Sequence, residues 1–142
     1  MYKKILVPLD GTELAEKAIP NVLQLAKENN AEVLLLRVAG NAAAEFAWND
    51  PAIAAATVNE MEGEAKSYMS RIKDKLAGSG IKVTTEVCDG AIAPSIIEVA
   101  EKENVDLIAM YTHARTGFGR FFKGSFADKV IHDSTIPVLM VH

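Results

Sequence analysis

The sequence predicts an α/β fold: a single domain, residues 1–142, built on an open parallel β-sheet with helices on both faces. Three observations lead there. Four short apolar runs (Ile5–Val7, Val33–Leu36, Leu107–Met110 and Val138–Val141) are unbroken rather than alternating, as parallel strands covered on both sides are. Helical periodicity fills the intervals between them, so the chain reads as successive right-handed βαβ crossovers. The 142 residues, 49% hydrophobic and 24% charged, suit one domain that holds a core without disulfide or metal.

The first strand follows directly on Met1-Tyr2-Lys3-Lys4, with no signal-cleavage pattern, and no stretch approaches the ~18 apolar residues of a membrane span. Leu14, Ala18, Val22 and Leu25, flanked by Ala15, Ile19 and Ala26, predict a helix that Pro20 should bend or deprive of a hydrogen bond. Residues 39–60, after the second strand, break the pattern: Ala-rich, with Gly40, Asn41, Trp48 and Asn49-Asp50-Pro51, they predict a long, mobile excursion, helical toward its C-terminal end. Ala65, Tyr68, Met69, Ile72 and Leu76 mark the next helix, closed by Gly78-Ser79-Gly80. Lys82–Val87 alternates, which places it nearer a sheet edge. Ile92, Ile96, Ile97, Val99 and Ala100 mark a third helix, and Phe126, Val130 and Ile131 a fourth.

A net charge of −4 argues against wholesale binding of nucleic acid or anionic membrane. The single cysteine, Cys88, excludes an internal disulfide framework and fits a reducing compartment; a cytoplasmic protein is expected. His113, His132 and His142 have no metal-ligand spacing with each other or with Cys88, so no metal site is expected.

Open parallel sheets bind ligands beyond the carboxyl ends of their strands, where the strand order reverses. Two strand ends carry unusual residues. In Val7-Pro8-Leu9-Asp10-Gly11-Thr12, Asp10 reads either as an Asx turn or N-cap or as a carboxylate that accepts hydrogen bonds from a base or ribose. The fourth strand leaves through Met110-Tyr111-Thr112-His113-Ala114-Arg115-Thr116-Gly117-Phe118-Gly119-Arg120-Phe121-Phe122-Lys123-Gly124-Ser125, longer than the ~2–6 residues usual for such a link. No acid occurs from Leu107 through Ala127, so a basic, glycine-bearing loop runs into a helix N-terminus, where amides and dipole favour phosphate. Ser125 reads equally as an N-cap, with Asp128 completing a capping box. The aromatics Tyr111, Phe118, Phe121, Phe122 and Phe126 either stack on single-stranded nucleic acid or tuck the loop onto the domain or a partner subunit; packing is the preferred reading, and no nucleic-acid partner is expected. A P-loop is excluded because Lys123 precedes Gly124, a dinucleotide fingerprint because Phe122 takes the third glycine's place, and no nucleophile elbow occurs.

Taken together, Lys4-Ile5-Leu6-Val7-Pro8-Leu9-Asp10-Gly11-Thr12-Glu13, Thr112–Gly117, Gly124–Val130 and Ile136–Val141 resemble the universal stress protein family over essentially the whole chain. The resemblance implies a five-stranded parallel sheet of order 3-2-1-4-5, homodimers, protein partners in stress signalling and, in one branch, ATP binding. That branch carries Gly-x-x-Gly, nine residues, then Gly-Ser or Gly-Thr. Here Tyr111 and Ala114 stand at the two leading glycines, whereas Arg115–Lys123 and Gly124-Ser125 match. By resemblance, Asp10 and Val38 line the adenine and ribose pocket. Gly124, Ser125 and the Phe126 amide meet the phosphates, with Pro8, Leu9, Met110, Tyr111, Thr112, Ala114, Arg115 and Gly117 completing the site. The implied ligand is ATP or another adenine nucleotide, with Mg2+ as its companion ion.

Pro137 supports the dimer independently, since proline in a sheet is confined largely to edges and strand starts. The last strand, Val138-Leu139-Met140-Val141, is then an apolar edge that pairing across a twofold axis would close. The expected function is a homodimeric stress-response protein that binds an adenine nucleotide as a regulatory ligand, with no catalytic residue and at most slow ATP hydrolysis. The alternative is an interaction module of the same fold in which Tyr111 fills a vestigial site. A phosphoacceptor receiver domain is set aside because no lysine follows the last strand.

Overall fold

The computed structural model describes residues 1–39, 50–112 and 126–142. Strands β1 (Lys4–Leu9), β2 (Glu32–Val38), β3 (Val83–Cys88), β4 (Leu107–Tyr111) and β5 (Val138–Val141) form one sheet in the order β3-β2-β1-β4-β5. Every neighbouring pair is parallel, so each link must cross a face of the sheet. The described helices are α1 (Ile19–Asn29), α2 (Pro51–Lys75), α3 (Ile92–Lys102) and α4 (Phe126–Asp133).

Alternation along each strand separates two cores. Ile5, Val7, Leu9, Val33, Leu35, Leu107 and Ala109 meet Val22 and Ala26 of α1 and Tyr68, Met69 and Ile72 of α2. Leu6, Leu34, Leu36, Ile108 and Met110 meet Ala93, Ile96, Val99 and Ala100 of α3 and Ala127 and Val130 of α4. Both faces of the three inner strands are therefore covered, which is why their sequences read as unbroken apolar runs. β3 and β5 are the edges, and the alternating β3 sequence agrees with that position.

The sequence expectation at Pro20 needs correction. Ala15–Ala18 forms a separate 3-10 turn, and α1 begins only at Ile19, with Pro20 in its first turn. A proline there lacks only an N–H that would have no intrahelical partner, so it opens the helix and costs it no hydrogen bond. Asn30 closes α1 in the left-handed conformation, φ 53°. Of the expected excursion, residues 40–49 lie outside the described residues, whereas residues 51–60 are already helical. Pro51 stands at the start of α2, and the Asp50 side chain caps it by accepting from the Ala52 N–H at 2.9 Å. The first turns of α2 are mostly exposed, and Ala65, Tyr68, Met69 and Ile72 in its later half reach the core.

Ion pairing gathers at the amino ends of the strands. The Lys4 ammonium lies 3.4 Å from both Glu32 and Glu103, and Lys82 lies 3.4 Å from Glu32. The Asp106 carboxylate accepts from the Lys3 and Lys4 N–H groups at 2.8 and 3.1 Å. The carboxyl ends, where the candidate site lies, are built differently.

Candidate functional site at the sheet crest

The strand order reverses between β1 and β4. β1 follows β2 as far as Leu9 opposite Arg37, but it pairs with β4 only at Ile5–Leu107 and Leu6–Ile108. Pro8 brings no N–H to either ladder. Beyond Leu6 and Ile108, then, the two strands leave their ladder, and their exits flank the switch point: Pro8, Leu9 and Asp10 on one side, Met110, Tyr111 and Thr112 on the other. This is where an open sheet of this winding receives a ligand.

Asp10 forms the Asx turn that its position predicts. Its Oδ1 accepts from the Thr12 N–H at 2.9 Å and from the Thr12 hydroxyl at 2.5 Å, and Thr12 Oγ1 accepts in turn from the Ala15 N–H at 3.3 Å. The turn relies on Gly11 at φ +87°, a left-handed conformation that costs other residues. Asp10 is nonetheless exposed at the crest, so the local turn and a ligand-facing carboxylate are compatible.

The remaining expected site residues divide by face. Leu9 is buried in the α1–α2 core. Val38 is half-buried and packs on the α3–α4 side, as do Met110 and Phe126, the first residue of α4. Tyr111 packs against the opposite core, with α1 and α2, and Lys17 Nζ stands 5.8 Å from its ring centroid. The ring is thus seated on the face away from α4. Thr112 is only 6% exposed. Its N–H donates to the Val141 carbonyl at 2.8 Å, but its hydroxyl is buried without a hydrogen-bond partner among the described residues. Ala114, Arg115, Gly117, Gly124 and Ser125 lie outside the described residues.

Three residues that sequence reasoning passed over meet beside the β1 exit. Arg37 on β2 stands over the Tyr68 ring, 5.7 Å from guanidinium carbon to centroid. The Tyr68 hydroxyl donates to Glu16 at 2.9 Å. Burial, assisted by the Glu16 carboxylate, pushes the Tyr68 phenol well above its usual range. Arg37 Nε and Nη1 are buried with no hydrogen-bond partner among the described residues. The available signal was the one charge in Val33-Leu34-Leu35-Leu36-Arg37-Val38, at the carboxyl end of an apolar run.

Among the described residues no cluster of three or more His, Cys, Asp or Glu could hold a metal ion. Cys88 is half-buried, and burial, with Glu86, Asp89 and Glu98 nearby, raises its thiol pKa. That favours a packed residue over a reactive thiolate. No described helix is long and apolar enough to cross a membrane.

The family model for the universal stress protein family matches residues 1–142. The chain belongs to the universal stress protein family. Universal stress protein MJ0531 of Methanocaldococcus jannaschii is 33% identical over 147 residues, covering 99% of this chain and 82% of that protein. The solved structure of MJ0577, another universal stress protein of that organism, superposes with a TM-score of 0.83 at 35% identity, covering 99% and 96% of the two chains. Two more distant members share the universal stress protein fold. One was solved in complex with cAMP (TM-score 0.74, 18% identity, 99% and 97% covered). The other, from Archaeoglobus fulgidus, was solved in complex with dAMP (TM-score 0.60, 16% identity, 99% and 98% covered).

Proposed function

We propose that this universal stress protein binds an adenine nucleotide over the carboxyl ends of β1 and β4, as a regulatory ligand with little or no turnover. The observation that carries the reading is the parting of β1 and β4 beyond Leu6 and Ile108, with exposed Asp10 on one side and, on the other, the buried Thr112 hydroxyl, which has no partner among the described residues. Buried polar groups normally find partners, and a polar ligand at this point would supply one. Asp10 would accept hydrogen bonds from base or ribose, and Thr112 would donate its hydroxyl. Mg2+ would accompany a triphosphate and screen its charge. That relatives were solved with cAMP and dAMP supports the adenine nucleotide class.

The competing reading, a binding module plugged by Tyr111, is weakened by the seating of that ring on the face opposite α4. Isothermal titration with ATP, AMP and cAMP tests the proposal: heats of binding with sub-millimolar affinity are expected, and silence up to millimolar ligand would end it. If Tyr111 is a plug, the double substitution Tyr111→Gly and Ala114→Gly would create affinity that the parent lacks.

The same proposal includes a cytoplasmic homodimer paired through β5, working through protein partners in stress signalling. Among the described strands β5 has β4 as its one neighbour, Pro137 before it is exposed, and Leu139 is 36% exposed. A second copy would cover this apolar edge. Light scattering should give twice the chain mass, and Leu139→Asp should halve it.

A further inference from the structure

Arg37 reaches from β2 to the link between β1 and α1. An added Cβ at Gly11 would fall on its Nη1, so the planar head lies flush against the backbone of that turn. Tyr68 of α2 backs the guanidinium, 5.7 Å from its carbon to the ring centroid, and donates its hydroxyl to Glu16 of the 3-10 turn at 2.9 Å. The Asp10 and Glu16 carboxylates both raise the Tyr68 phenol while Arg37 opposes them, so the four groups act on one another. Because Nε and Nη1 are buried, the guanidinium is packed against protein rather than presented to a ligand. Its neighbours give it another use. Asp10 Oδ1 is committed to the Thr12 N–H and hydroxyl, and Thr12 Oγ1 to the Ala15 N–H, so the turn sets the direction of the carboxylate. Asp10, Gly11, Thr12 and Glu13 are all exposed, and an exposed segment that buries nothing of its own stays ordered only where the structure behind it holds it.

We infer that Arg37 is a positioning residue: through Gly11 it fixes the turn that presents the Asp10 carboxylate at the crest, and so acts on ligand affinity without touching the ligand. This rests on the nucleotide-binding reading, in which Asp10 meets base or ribose, and it makes the β2 exit the support for that end of the ligand. A flat, stiff guanidinium suits a slot between an aromatic ring and a glycine backbone.

The test compares the full chain with Arg37→Met, which keeps an unbranched stem but lacks the planar head, in the parent and in an Asp10→Ala background. Thermal melts confirm folding, and Arg37→Lys carries the same comparison if Arg37→Met does not fold. Without ligand, amide relaxation by NMR should give Gly11 and Thr12 order parameters near about 0.85 in the parent and below about 0.6 in Arg37→Met. Lys3 and Lys4, at the other end of the sheet, should not change. In calorimetry Arg37→Met should weaken AMP about fivefold, the scale of ordering one polar side chain on binding. In the Asp10→Ala background the same substitution should change AMP affinity by less than about twofold. A merely structural Arg37 would lower stability without acting through Asp10. Unchanged order parameters at Gly11 and Thr12, an equal loss at Lys3 and Lys4, or an unchanged affinity for AMP would therefore overturn the inference. So would a loss of affinity that persists without Asp10. If the parent binds none of ATP, AMP and cAMP, the nucleotide reading fails by itself, and the order parameters still decide whether Arg37 holds the turn.

Discussion

Replacing Gly11 with alanine tests how the turn after β1 and the guanidinium of β2 hold each other. Two costs are expected. Gly11 lies at φ +87°, where an L-residue loses about 1 kcal/mol. The new methyl would also stand 2.4 Å from Arg37 Nη1, 3.3 Å from Cζ and 3.4 Å from Nη2, well inside contact distance. An exposed arginine would swing away at little cost. This one is backed by the Tyr68 ring and has Nε and Nη1 buried, so displacing it should add about 1–2 kcal/mol of overpacking. The total, about 2–3 kcal/mol, corresponds to a fall in melting temperature of roughly 5–10 °C for a domain of this size. The assay is urea and thermal denaturation of a double-mutant cycle with Arg37→Ala. In the Arg37→Ala background, Gly11→Ala should lose only the dihedral cost of about 1 kcal/mol, leaving a coupling of about 1–2 kcal/mol. The same loss in both backgrounds would refute a steric contact between these residues, and no loss in either would refute the strained turn as well.

Three other perturbations probe separate parts of the molecule. Tyr68→Phe removes the hydrogen bond to Glu16 and should lower stability by about 1 kcal/mol at neutral pH. Because the folded phenol titrates above the ordinary value of 10.0, the folded state keeps its proton after the unfolded chain has lost it. Stability should therefore fall as pH rises beyond about 10, and the Phe variant should flatten that fall in pH-dependent urea titrations. Asp89→Ala should return the Glu62 carboxyl toward 4.5, since the hydrogen bond that its protonated form donates to Asp89 and the Asp89 charge now hold it higher; carboxyl NMR titration reads the shift, and an unchanged Glu62 would contradict the contact. Ile96→Ala, at a fully buried position between α3 and the sheet, should cost about 2–5 kcal/mol in chemical denaturation, and a loss under 1 kcal/mol would mean that the α3 layer is not close-packed.

Much of the fold was legible because its signals are local. Unbroken apolar runs marked β1, β2, β4 and β5, alternation marked β3 as an edge, and the apolar spacing of Ala65, Tyr68, Met69 and Ile72 marked the buried half of α2. The Pro20 expectation failed because periodicity continues across a 3-10 turn into α1, and only the backbone shows where the first turn begins. The start of α2 at Pro51 was hidden by exposure: its first turns bury almost nothing, so no apolar stripe announces them, although Asp50-Pro51 is a sound start signal. At the site, Asp10 was readable from its place at a strand end, and its Asx turn followed from residue chemistry alone.

The sequence by itself determined the layered α/β architecture and the family, because hydrophobic periodicity and short motifs depend only on neighbours along the chain. Only the tertiary structure decided which face Tyr111 takes and that Gly11 and Tyr68, far apart in sequence, enclose the Arg37 guanidinium, two of whose nitrogens have no acceptor among the described residues. Whether a polar group is satisfied depends on every element packed around it, and β1, β2 and α2 converge there only once the sheet has formed.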